Sequence, residues 1–417
     1  MKVALVSSFD LDGGAARAAY RLLDAIVRAG VDARLFVQVR SAGDVRVDGP
    51  SGGVARIWAR LRPHLDHLPA RRTGATLGAF SVNWLPAGIA GRLAAFAPDL
   101  VHWHGLHAGF ASVREIERLG RPAVWTAHDM WPFTGGCHYD EGCGGFETRG
   151  CSPCPQQHAR PAAPLAARRL HAKVQAAQRG RLAFVTPSRW LADVAARSPV
   201  ARERPVHVIP NGLDLERFRP IDRTAARALF GLPAERVVLL FGAVHATSDR
   251  RKGYDLLDAA LARLQGSPWR DRVVLAVYGG ARGRSSVHGV PAYGVGQLHD
   301  EESLIALYSA ADVFVAPSRQ DNLPNTVLEA TACALPTVGF ATGGIPDLVE
   351  DGVTGWLAPT VDADALYAAL ERALQDPARR AAAGQAARAR AVERFSDAAS
   401  ALEHRRLYAQ LIEQARR

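Results

Sequence analysis

"ADVFVAPSRQDNLPNTVLEATACALP", residues 311–336, sets the fold of the whole chain. The run ADVFVA is short and apolar, as a strand buried on both faces must be. Pro324 suits the first turn of a helix, where a missing N–H costs nothing, and NTVLEATACA continues as that helix. Strand, polar loop and helix in this order form part of a parallel sheet. The helix start offers unpaired backbone amides to an anion. Glu329 lies inside the apolar helical run, where a carboxylate needs strong partners to offset its desolvation. The two hydroxyls of a ribose would supply them.

The same alternation runs outward in both directions. Upstream, KVALVSSF (2–9) precedes the helix ARAAYRLLDAIVRAG (16–30), and ARLFVQV (33–39), DLVHWHG (99–105), PAVWTAHD (122–129), AFVTPS (183–188) and VHVIPNG (206–212) read as further strands. The pattern restarts with RVVLLFGAV (236–244) and RVVLAVYGG (272–280), and continues after residue 311 with PTVGF (336–340) and GWLAP (355–359). At 417 residues the chain exceeds one ordinary core, and two domains follow. The expected architecture is two doubly wound α/β domains, 1–205 and 206–395, with a C-terminal helix, 396–417, free to cross back to the first. In such sheets ligands bind beyond the carboxyl ends of the strands, so the polar residues at strand ends are the candidates.

Hydrophobic content of 48% and charged content of 22% are those of a globular protein rather than a disordered one. The opening MKVALVSSF breaks at Ser7, too early for a signal peptide. No run of about 18 apolar residues exists, and a cytoplasmic location is expected. The net charge is +10, and ten Lys or Arg face two acids, Asp193 and Glu203, between Arg160 and Arg204. Such a stretch suits nucleic acid, anionic lipid or an anionic substrate, or is simply a set of solvated helix faces. Aromatics at 7% form no stacking stripe, which argues against nucleic acid.

Asp321, seven residues and Glu329, in the frame D-N-L-P-x-x-x-x-E-A, resemble the acidic motif of retaining GT-B glycosyltransferases of family 4. That motif usually has Glu at both ends; Asp321 is one methylene shorter. Other stretches resemble the same family in the same order. VIPNGLDLERFRP (208–220) is similar to its domain-joining signature, and RRKGYDLL (250–257) to its basic phosphate motif. The family often carries another Arg after the F-G of the preceding strand, where this chain has Ala243, so Arg250 or Arg251 would compensate. FATGGIPDLVEDGVTGWLAP (340–359) resembles the next strand, loop and helix, and DLDGGAARAAYRLL (10–23) the N-terminal glycine loop. WTAHDMWPFTGGCHY (125–139) resembles a subgroup that builds bacterial exopolysaccharides of the colanic-acid type.

The resemblance implies a GT-B fold, two Rossmann-like domains facing across a cleft, and transfer of a sugar from a UDP- or GDP-sugar with retention. Lys252 and Arg251 would meet the diphosphate, a task for cationic side chains, and Glu329 the ribose. Asp321, Asn322, Leu323, Pro324 and Gly344 would line the donor sugar and its phosphates. Gly13 and Gly14 would let the N-terminal loop approach acceptor and phosphate. His128, at a strand end, would act near the donor sugar; Lys252 and Asp321 complete the catalytic set. No cofactor would be needed for the chemistry. The acceptor would be a glycan or lipid-linked, with an anionic membrane surface as a partner of the basic N-terminal domain and no nucleic acid. Residues around Tyr278 to Tyr293 would select the base. The residues by themselves leave other readings open: Lys252 as a solvated loop lysine, Gly13-Gly14 as a turn, His128 as a core histidine. The whole chain could also be a nucleotide-sugar hydrolase or epimerase, or a zinc-containing nucleic-acid-binding protein.

Four of five cysteines, Cys137, Cys143, Cys151 and Cys154, fall in GCHYDEGCGGFETRGCSPC (136–154). A reducing compartment disfavours disulfides, and four thiolates suit a closed, structural zinc site. An iron–sulfur cluster uses the same ligands, and a redox pair of Cys151 and Cys154, disulfides or free thiols are the alternatives. His138 and His158 could substitute as ligands. Cys333 reads as a core residue.

Overall fold

The computed structural model describes every residue except 75–79, 87, 158–164, 243–248 and 299. The two expected sheets are present. The first contains β1 (Lys2–Phe9), β2 (Asp32–Val39), β3 (Val47–Asp48), β4 (Leu100–Trp103), β5 (Ala123–Thr126), β6 (Leu182–Thr186) and β7 (Val206–Val208). Their order is β3-β2-β1-β4-β5-β6-β7, every pair parallel. The second contains β8 (Val237–Gly242), β9 (Val273–Tyr278), β10 (Arg282–Val287), β11 (Val290–Gly296), β12 (Val313–Ala316), β13 (Thr337–Phe340) and β14 (Gly355–Ala358). Its order is β10-β11-β9-β8-β12-β13-β14, parallel except for the β10–β11 hairpin. Strand order reverses between β1 and β4 and between β8 and β12, which makes these the switch points where ligands bind.

The chain forms two compact units, 1–212 with 397–417, and 213–396. The first boundary lies at Gly212 rather than 205, because β7 pairs with β6 and belongs to the first sheet. Gly212 is tight there: a Cβ would come 2.5 Å from the Cα of Asp397. The Asp397–Arg416 helix packs on the Gly14–Arg28 helix, tied by an Arg28–Asp397 ion pair and by Arg405 donating to the Ala29 carbonyl at 3.2 Å. Its Ala401, Leu407, Tyr408 and Ile412 share one core with Leu22, Leu23 and Ile26 of that helix and with β1 and β2.

Two elements escape the sequence pattern. β10 is exposed and polar, RGRSSV, and reads as loop. The hairpin signal is the pair His288-Gly289, both at positive φ (48° and 78°), as a two-residue turn between right-twisted strands requires. β3 is two residues long.

Candidate active site

The loop after β12 builds the best-defined polar cluster. Asp321 is buried five residues past the strand. Opposite it, a 3-10 turn, Arg250–Lys252, is capped by Asp249, whose carboxylate accepts from the Arg251 amide at 3.0 Å. The turn presents both cations to Asp321: Lys252 Nζ lies 2.6 Å and Arg251 Nη1 3.1 Å from the same carboxylate oxygen, Oδ2. Arg251 also donates to the Gln320 carbonyl at 3.1 Å. Burial would raise the Asp321 pKa, but the charges of Lys252 and Arg251 outweigh it and hold the carboxyl well below the usual range.

Glycines let these loops meet. Gly253, at φ 69°, has no room for a side chain, since a Cβ would fall 1.9 Å from the Pro317 carbonyl oxygen. Gly343, at φ 58°, would place one 2.0 Å from the Asp321 carbonyl oxygen. That carbonyl accepts from the Gly344 amide at 2.9 Å. The Asp321 side chain also takes the Asn322 amide at 3.1 Å. Asn322 and Leu323 are buried. Pro324 stands one place earlier than expected: it caps the Asn325–Ala332 helix rather than occupying its first turn, and its carbonyl accepts from the amides of Val327 and Leu328.

Glu329 is buried on that helix. It accepts a hydrogen bond from Tyr308 at 2.9 Å, and Tyr308 is in turn 2.9 Å from the Tyr278 hydroxyl. Burial, then the neighbouring Tyr278 and Glu329, push the Tyr308 phenol up, so it stays a donor. Tyr308 was not a sequence candidate; it lies within an apolar helix, and nothing in that pattern marks its hydroxyl. Cys333 is buried in the core, as expected. Ala243 lies outside the described residues.

In the first unit, His128 follows β5 and His104 follows β4, the strand at the switch point. His128 Nε2 lies 3.0 Å from His104 Nδ1, and the rings stack at 5.3 Å. Behind them His102 bridges Thr126, at 2.7 Å, and Tyr408 of the C-terminal helix, at 2.6 Å. Burial pushes His128, His107 and His404 down to about 4, and His102 and His104 well below their ordinary value. At neutral pH these imidazoles are uncharged. Sequence reading found His128 but not its partners, although His102 and His104 stand at the end of a recognised strand. Gly13, at φ 86°, precedes the Gly14–Arg28 helix with open space around its Cα.

The four loop cysteines are free thiols. They sense one another: burial first, then neighbouring thiols, push Cys137 up to about 12 and Cys151 up to about 11. Among the described residues, however, no group of three His, Cys, Asp or Glu is placed to hold a metal ion. His138 is engaged elsewhere, 2.6 Å from Asp129 and 2.9 Å from Ser81, and His158 lies outside the described residues. The basic stretch is also less free than its composition suggests. Lys173 is buried and donates to the carbonyls of Trp131 and Thr134. Arg179 pairs with Glu117 and Arg197 with Glu147. Arg160 is outside the described residues.

This fold and cluster define a sugar-transferring enzyme class. The Glycosyltransferase Family 4 model matches residues 12–217, and the Glycosyl transferases group 1 model residues 235–376. A D-inositol 3-phosphate glycosyltransferase of Kineococcus radiotolerans is 30% identical over 88% of this chain and 83% of its own. One from Saccharomonospora viridis is 32% identical over 72% of this chain and 67% of its own. The chain belongs to this GT-B glycosyltransferase family. Among solved structures, sucrose-phosphate synthase of Thermosynechococcus elongatus has the same fold, with a TM-score of 0.73 at 23% identity over 99% of this chain and all of that one. Anabaena HepE in complex with UDP gives 0.65 at 16% identity, over 98% of this chain and all of that one.

Proposed function

We propose that the enzyme moves a sugar from a nucleoside diphosphate sugar to an acceptor with retention at the anomeric carbon. The observation that carries this is the pairing of Lys252 and Arg251 with Asp321 beyond the carboxyl end of β12. Two cations converge there on one buried carboxylate, at a switch point where ligands bind. A diphosphate gives the cations a second anion, and as it leaves they stabilise its growing charge, so the chemistry needs no cofactor. Glu329, with Tyr308 behind it, takes the ribose; Asp321 and the Gly344 amide lie at the sugar. UDP in HepE supports a uridine donor in a chain of the same fold. His128 and Gly13-Gly14 serve the acceptor.

For the acceptor, the sequence subgroup points to a glycan or lipid-linked intermediate of surface polysaccharide synthesis. The relatives named above favour a second reading, D-inositol 3-phosphate. A zinc ion on the four cysteines belongs to the loop and not to the reaction. Its support is the sequence spacing alone, since among the described residues the thiols are not gathered into a metal-holding group, and metal-free purified protein would remove it. The main test is a thermal-shift series with UDP, GDP, ADP and their sugars, followed by transfer to each acceptor class and NMR of the new anomeric centre. One nucleotide should stabilise the wild type and fail with Lys252→Ala. No stabilisation by any of them overturns the donor site.

A further inference from the structure

The Gly53–Asp66 helix is amphipathic the wrong way round for a globular surface. Its buried stripe is Ala59, Arg62 and Asp66. Arg62 donates to the carbonyls of Gly109 at 2.8 Å and Pro86 at 2.5 Å, and Asp66 accepts from the amides of Asn83 and Trp84. These polar anchors fix the helix to the first unit. Its apolar side chains face outward instead: Val54 is 84% exposed, Ile57 62%, Trp58 49% and Leu61 48%. At 3.6 residues per turn these four share one arc of about 100°. Leu68 and Trp84 extend the patch, and Trp84 is held against the helix end by its indole donating to the Leu65 carbonyl at 3.3 Å. Side chains of this kind are normally the buried stripe of a helix, so their exposure calls for an occupant.

Charge says which occupant. Residues 49–98 contain six arginines and one acid, Asp66, which is buried. Arg60 lies on the helix flank about 60° from Ile57, and Arg56 lies behind it toward Ala59; both are exposed. Arg71, Arg72 and Arg168 ring the far end and are exposed. Among the described residues none of these five pairs with an acid. A groove beside Trp84, lined by Leu68, Arg72, Leu165 and Arg168, joins apolar floor to guanidinium rim. An apolar stripe, tryptophans at its edge and arginines around it match a helix lying in the interface of an anionic bilayer. A second copy on this face would bring two sets of arginines together, which disfavours it.

We propose that the Gly53–Asp66 helix, with Leu68 and Trp84, is a membrane-docking face that seats Ile57, Trp58 and Leu61 among the acyl chains and the surrounding arginines on acidic headgroups. It rests on the reading above only in that a lipid-linked acceptor would lie at such a surface. It also moves the membrane contact from the partly paired 160–204 stretch to a different element.

The test is flotation with phosphatidylcholine vesicles, with and without phosphatidylglycerol. The wild type should float only with the anionic vesicles. Ile57→Ser/Trp58→Ser/Leu61→Ser should abolish flotation, and Arg56→Glu/Arg60→Glu should weaken it by about fivefold or more per arginine at low salt. All substitutions lie on exposed positions, and nucleotide thermal shift is run on each variant. An unchanged shift shows that the second unit is intact and an unchanged near-ultraviolet circular dichroism spectrum that the first unit is, so loss of flotation is then loss of docking. No shift in any protein would indict the donor-site reading and leave flotation to be judged separately. Equal flotation of the wild type and both variants overturns the proposal. So does a wild-type dimer that the triple variant converts to monomer without any vesicle binding.

Discussion

Lys252 and Asp321, 69 residues apart in sequence, meet through a 2.6 Å contact between ammonium and carboxylate. The residue assigned to the diphosphate and the residue assigned to the sugar are therefore one electrostatic unit. Lys252→Ala leaves a buried carboxylate with Arg251 as its remaining cation. We expect a loss of about 1–3 kcal/mol of stability in the second unit, and loss of nucleotide-induced stabilisation. Calorimetry with and without UDP separates the two effects. An unchanged nucleotide shift would detach Lys252 from the donor.

The same pairing sets the acid limb of stability. Asp321 is depressed in the folded state, so its contribution is present above the ordinary carboxylate pKa, about 4, and is lost as pH falls below it. Asp321→Asn should flatten the decline in melting temperature below about pH 4, while lowering stability at pH 7. An equally steep acid limb in the variant would contradict the assignment.

The histidine cluster acts in a higher window. His107, His128 and His404 titrate near 4 when folded, against about 6.5 unfolded. Between these values the unfolded chain binds more protons, so stability falls as pH drops from about 6.5 towards 4. The loss should reach a few kcal/mol, on the order of one to three per histidine. Urea denaturation at stepped pH should show it in the first unit, and His404→Gln should make the slope shallower.

Gly343→Ala should be poorly tolerated. The added methyl would collide with the Asp321 carbonyl, and φ 58° is unfavourable for alanine. A cost of about 1–3 kcal/mol is expected, along with loss of nucleotide binding because the Asp321 loop must shift. A variant as stable as the wild type would show that the loop has slack.

Tyr308→Phe removes the hydroxyl that Glu329 accepts from. We expect about 1–3 kcal/mol of destabilisation and a rise in KM for the donor with kcat little changed. A fall in kcat alone would place Tyr308 elsewhere in the cycle.

Much of this was legible in the residues. The alternation of β-branched runs with helical patterns located most strands of both sheets, because a strand covered on both faces must be continuously apolar. Asp321 and Lys252 were readable from strand-end position and local motif. What escaped was long-range. Nothing local to 250–252 says that its cations pair with residue 321. Tyr308 sits in an apolar helix, and its partner Glu329 is brought to it only by packing of neighbouring helices. The β10–β11 hairpin failed because β10 is polar and exposed, so periodicity had nothing to report for its outer strand. The inverted helix at 53–66 has an ordinary amphipathic pattern; only the structure reveals which side is buried.

The return of residues 397–417 to the first unit has a consequence for biosynthesis. A ribosome makes chains from the amino end, so the first unit is the older one, yet its last described member, 397–417, is synthesised only after the whole of the second unit. Until Leu407, Tyr408 and Ile412 emerge, the partners they cover, Leu22, Leu23 and Ile26 among them, lack that cover. The second unit, 213–396, is whole some twenty residues earlier. The nascent chain thus completes its units in the reverse of the order in which it begins them, and a message truncated just before residue 397 would yield a finished second unit tethered to an unfinished first.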